Sequence, residues 1–109
     1  MAIKSNLVVD QGSNFFVIIT ITDTSGNLVD LTGFTASAQM RKHFTSATAI
    51  SFTCETGGAN GTISLALTSE ETTAITAGRY VYDVEVTTAT DVVSRVVEGI
   101  VTVTPNVTR

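Results

Sequence analysis

The sequence predicts an all-β chain folded as a sandwich, and three observations carry that prediction. Short segments alternate apolar and polar residues with the period of two that half-buried strands require. Clusters of Gly, Asn, Asp and Ser punctuate these segments, as in Asp10-Gln11-Gly12-Ser13 and Thr56-Gly57-Gly58-Ala59-Asn60-Gly61. Finally, Gly78 stands two residues before Tyr80 at the head of the alternating run Tyr80-Val81-Tyr82-Asp83-Val84-Glu85-Val86, the corner pattern of sandwich domains.

Taken in order, Ile3 to Val9 forms a first strand. Asn14 to Thr22 follows, with Phe15, Val17, Ile19 and Ile21 on one face and Phe16 and Ile18 on the other. A strand apolar on both sides is expected to be central and covered on both faces at one end. Gly26, in Asp23-Thr24-Ser25-Gly26-Asn27, is placed to take the positive φ of a tight turn. Leu28 to Gly33 is an extended link. Phe34 to Arg41 points Phe34, Ala36, Ala38 and Met40 inward, and its small alanines call for a bulky facing layer.

After a loop over Lys42 to Thr48, Ala49 to Glu55 and Thr62 to Leu67 form a hairpin with Ile63, Leu65 and Leu67 on the core side. Thr68-Ser69-Glu70-Glu71 has the spacing of a capping box, which predicts one helical turn from Ser69 to Ala74. Arg79 to Thr88 buries Tyr80, Tyr82, Val84 and Val86. Val92 to Thr104 is the long last strand, with Gly99 marking a bulge or a close backbone approach. Pro105 stops it. The fold class is therefore all-β, an immunoglobulin-like antiparallel β-sandwich of about seven strands, with residues 1–109 as a single domain. In antibody domains the position two after the corner tyrosine is a disulfide cysteine; here it is Tyr82, so packing alone must join the sheets.

A domain of 109 residues buries roughly two-thirds of its unfolded surface, enough to fold without metals or disulfides. Hydrophobic residues make up 43% of the chain and charged residues 15%, well below the usual level of about 25%. So lightly charged a surface suits a permanently packed subunit, because interface cores are depleted in charge. A net charge of -4 with a pI near 4.6 argues against nucleic acid, which needs a basic footprint. No apolar run approaches membrane-spanning length, and residues 1–6 lack a signal peptide's apolar region, which predicts synthesis and assembly in the cytoplasm. The single cysteine, Cys54, alternates with Ile50 and Phe52 and reads as a buried small hydrophobe.

Chemistry finds little to work with. A nucleophilic triad needs a base, and the one histidine, His43, sits in a loop beside Arg41 and Lys42. No serine occupies a Gly-x-Ser-x-Gly elbow. Glu70 and Glu71 lie on the capping turn; Asp83, Glu85 and Asp91 read as solvated outward acids, with Asp83 opposite Arg95 as a cross-strand ion pair. There is no phosphate loop or dinucleotide fingerprint. The expectation is a protein that is not an enzyme and takes no cofactor or metal.

Three segments carry a resemblance. Gly26-Asn27-Leu28-Val29-Asp30-Leu31-Thr32-Gly33-Phe34-Thr35-Ala36 with Gln39-Met40-Arg41, the opening Asp10 to Phe15, and the ending Arg95 to Pro105 resemble small structural proteins of tailed bacteriophages. The pattern is similar to the amino-terminal module of baseplate upper proteins, in which an immunoglobulin-like domain docks a receptor-binding device onto the tail. This chain stops after the module. The resemblance implies a virion component of tail, baseplate or neck, present in many copies or as a homo-oligomer. Its implied partners are other virion structural proteins, with neither nucleic acid nor membrane. A capsid decoration protein is the alternative within that class, and a host-surface or carbohydrate-binding module the alternative outside it. The latter requires Phe44 and His43 at an exposed loop tip. Candidate interface residues are Arg41, Lys42, His43 and Phe44, a charged loop with an aromatic anchor, and the tail Asn106, Val107, Thr108 and Arg109. Edge pairing through the first strand or the long last strand is the expected geometry of assembly.

Overall fold

In the computed structural model, which describes residues 3–23 and 25–106, the alternating segments form two sheets packed face to face. The strands are β1 (Ile3–Lys4), β2 (Leu7–Asp10), β3 (Phe15–Thr20), β4 (Thr35–Arg41), β5 (Ile50–Ser51), β6 (Thr53–Thr56), β7 (Thr62–Leu67), β8 (Gly78–Thr87) and β9 (Val93–Thr104); α1 is Ser69–Thr73. The larger sheet has the order β1-β9-β8-β4-β5, with β2 also on β9; the smaller has the order β3-β7-β6. The fold is an all-β sandwich.

Two expected strands are each interrupted. The first breaks at Ser5 and Asn6, yet β1 and β2 hold one register on β9, Ile3 facing Val97 and Leu7 facing Val101. Gly99 explains the break, because a Cβ there would lie 2.2 Å from the Ser5 carbonyl oxygen. Of the two uses foreseen for that glycine, close approach is the one observed. The Asn6 side-chain oxygen accepts from the Ile100 N–H at 3.1 Å, standing in for a backbone acceptor. Both pieces run parallel to β9, unlike the antiparallel remainder; no tight turn is needed, since almost the whole chain separates them. The second interruption is at Phe52, where the chain leaves β4 and crosses to β7, so β5 and β6 belong to different sheets.

Val9, Met40, Val84, Val97 and Val101 from the larger sheet meet Ile63 and Leu65 from the smaller, all fully buried. Three rings link the layers in place of a disulfide. Phe15 and Phe52 have centroids 6.0 Å apart, and Phe52 meets Tyr82 edge-on at 6.2 Å. Cys54, expected to be buried, is only half-buried, and burial raises its thiol pKa.

The corner forms as the sequence implies: the Tyr80 hydroxyl donates to the Thr76 carbonyl at 2.6 Å. Just before it, Thr68 and Glu71 close a reciprocal capping box on α1. The buried Thr72 hydroxyl accepts from Gly12 N–H at 3.1 Å and lies 2.9 Å from the Ser13 carbonyl, tying the helical turn to the β2–β3 corner.

Two placements depart from expectation. β3 is an edge strand rather than a central one, and its second apolar face is open, with Phe16 64% and Ile18 57% exposed. β9, a candidate for edge pairing, has β8 on one side and β1 with β2 on the other. Strand order decides both outcomes, and hydrophobic period does not encode it.

Candidate functional site

The outer face of the larger sheet is a shallow concavity of about 660 Å³ that gathers Lys4, Asn6, Arg41, Asp83, Arg95 and Glu98, with Phe44 at its rim. Asp83 and Glu98 are register partners, so two carboxylates face each other across β8 and β9. Arg95 resolves the conflict: its Nε lies 3.5 Å from Asp83 and its Nη1 3.2 Å from Glu98. The expected pairing of Asp83 with Arg95 is thus present but diagonal. Register shifts between Val84 and Glu85, which leaves Val96 as the extra residue and puts Arg95 opposite Glu85.

The loop after β4 is fixed by its own cations. Arg41 donates to the Ser46 carbonyl at 2.6 Å and to the Gln39 side chain at 3.2 Å. The Lys42 ammonium sits 5.0 Å from the Tyr80 ring centroid, a cation–π contact. His43 N–H donates to the Ser46 hydroxyl, while the His43 side chain is exposed. Phe44 is 84% exposed. So Arg41 and Lys42 serve the loop's structure, and Phe44 and His43 are what it presents.

Asn106 lies at the end of the sandwich where β9 finishes and β8 begins, but it is half-buried and occupied. Its N–H donates to Gln11, which in turn donates to the Ile75 carbonyl. Val107, Thr108 and Arg109 lie outside the described residues.

The outer face of the smaller sheet is quite different. Its cross-strand rows read Phe16–Ala66–Thr53 and Ile18–Ser64–Glu55, with Thr20–Thr62 beyond. Ala66 and Ser64 are too small to shield Phe16 and Ile18, which therefore stand above the sheet. Glu55 is the one charge in these rows. Sequence reasoning missed this face because β3 read as doubly covered. The usable signal was that no charged residue occurs from Gln11 through Thr22.

Among the described residues, no three His, Cys, Asp or Glu side chains converge as metal ligands would. Two hydrogen bonds from Thr32 lower the pKa of the Asp30 carboxyl. Burial raises that of the Tyr82 phenol, whose hydroxyl donates to the Ser5 carbonyl.

No family model matches the chain, and neither does any curated protein. Among solved structures, an internalin-like protein of Listeria monocytogenes aligns with 96% of this chain at 14% identity and a TM-score of 0.46. The chain spans 28% of that protein's length.

Proposed function

We propose that this chain is a non-enzymatic docking module, an immunoglobulin-like sandwich held in a larger assembly by the outer face of its smaller sheet. The observation that carries the proposal is the pair Phe16 and Ile18, large and exposed on a face of Thr, Ser and Ala with a single carboxylate. Exposed apolar surface rimmed by uncharged polar residues is costly in an isolated domain and is the composition of interaction faces. The strand order β3-β7-β6 against β9-β8-β4, together with the Tyr80 corner, supports the immunoglobulin-like reading.

The assembly we propose is a tailed-bacteriophage virion, with the module in the tail, baseplate or neck; the three segments quoted above support that reading. An antibody against the chain should detect it in gradient-purified particles from cells that carry the gene. Its presence in the lysate but absence from particles would refute a virion role.

A second reading rests on a different residue. Phe44, exposed beside a concavity that offers amide, guanidinium and carboxylate groups, fits a surface ligand such as a glycan. Loss of glycan-array binding on Phe44→Ala would favour it, and an array blank for the unaltered protein would dismiss it.

A further inference from the structure

Among the described residues the sandwich leaves four strand edges uncovered, and three carry protection. The β1–β2 edge is interrupted at Ser5 and Asn6 and bears Lys4 and Asp10; β5 is two residues long; β6 is four residues long and bears Glu55. Short length, charge and interruption are the usual means of preventing strand addition. β3 has none of them. It runs for six residues, Phe15–Thr20, without charge, proline or glycine, and among the described residues only β7 pairs with it.

Its hydrogen-bonding groups can be assigned. Ile21 N–H bonds to the Gly61 carbonyl at 2.7 Å, on the β7 side, and the β3–β7 register continues without a shift. Backbone groups alternate sides along a strand, so Phe15, Val17 and Ile19 address β7 while Phe16, Ile18 and Thr20 point their N–H and C=O groups off the open edge.

We propose that the occupant of this edge is β3 of a second copy, paired antiparallel about a two-fold axis at Ile18. Ile18 then faces its own counterpart, and Phe16 of each copy faces Thr20 of the other. This register uses all three outward pairs and joins the two small sheets into one six-stranded sheet. It also gathers both copies of Phe16 and Ile18 on one surface, where cross-strand and diagonal apolar contacts form.

Charge permits a second copy here. The chain carries a net charge of -4, which opposes self-association, but β3 itself is uncharged, and the one charge in the outer rows of its sheet, Glu55, lies on β6, two strands from the contact. Two strand spacings are about 10 Å, beyond the screening length of about 8 Å at physiological salt. An isologous interface then needs only a self-complementary strand, and in this register each outward residue meets an uncharged partner. The inference deepens the docking role by naming its partner. It is tested on purified protein and so stands apart from whether the chain is found in virions.

Cysteine cross-linking tests the register. In a Cys54→Ala background, Ile18→Cys should give a disulfide-linked dimer as its main species under mild oxidation. A hydrogen-bonded antiparallel pair has Cα atoms about 5.5 Å apart, within disulfide reach. Thr20→Cys in the same background should stay largely monomeric, because its counterpart lies roughly 13 Å away along the strand. Equal linking at both positions, or none at position 18, overturns the proposal. If a cysteine variant fails to fold, sedimentation of the unaltered chain decides: a concentration-dependent monomer–dimer equilibrium supports the proposal, and a monomer throughout the accessible range overturns it.

Discussion

The two outer faces of this sandwich are solved differently. The face over β8 and β9 places two carboxylates opposite each other and neutralises them with Arg95, so it is polar, concave and internally balanced. The face over β3 and β7 sets Phe16 and Ile18 beside Ala66 and Ser64 and leaves them uncovered. One face completes its interactions within the chain, while the other defers them. A surface of the second kind is the better guide to where a domain is held.

The largest effect should come from the inner side of the smaller sheet. Leu65→Ala removes a fully buried side chain and is expected to cost about 2–5 kcal/mol, seen as a lower midpoint in thermal or urea unfolding. Ile18→Lys, on the strand next to it but on the outer side, should change stability by no more than about 0.5 kcal/mol when both proteins are compared at dilutions that keep them monomeric. Similar losses for the two would mean that the outer face is packed, and the comparison would break.

Next in size is the seam beneath the polar face. Gly99→Ala puts a methyl group against the Ser5 carbonyl and should cost about 1–3 kcal/mol, as overpacking does. Amide exchange at residues 3–7 should rise with it, because β1 must lift. An unchanged exchange pattern would show that β1 does not depend on that approach.

Tyr82 joins the faces, its ring on Phe52 and its hydroxyl on the Ser5 carbonyl. Because burial raises its folded pKa above the ordinary tyrosine value of about 10, the unfolded chain releases the proton first. Stability from this group is therefore complete below about pH 10 and falls as pH rises through the folded value. Unfolding curves should show that alkaline decline in the unaltered protein and a weaker one in Tyr82→Phe.

Among the losses expected on the polar face, the smallest belongs to Arg95. It is half-exposed, and its removal should cost about 0.2–1 kcal/mol, less in high salt. A larger or salt-independent loss would give the polar face a structural weight that its exposure does not suggest.

Much of the fold was legible in the residues. The inward sets on β4, β7 and β8, the capping box at Thr68 and the corner at Tyr80 are local patterns with one physical solution each. What escaped was relational. Nothing local in Asn14 to Thr22 says that no strand lies beyond β3, so a doubly apolar segment reads as doubly buried. The interruption at Phe52 is likewise a matter of which neighbour each half meets. The loop from Arg41 to Phe44 was singled out for its composition, yet only Phe44 and His43 are presented, because Ser46 and Tyr80 engage the cations.

The central proposal is that the open edge of β3 and the outer face beside it, which bears one carboxylate, hold this protein in its assembly. It is tested most directly by light scattering across a concentration range on the unaltered chain and on a Phe16→Lys, Ile18→Lys double variant. The account predicts a dimer that dissociates on dilution for the former, and for the latter a monomer whose thermal stability matches that of the unaltered chain diluted to monomer. A monomer at every concentration for the unaltered chain, or a dimer that survives both lysines, would contradict it.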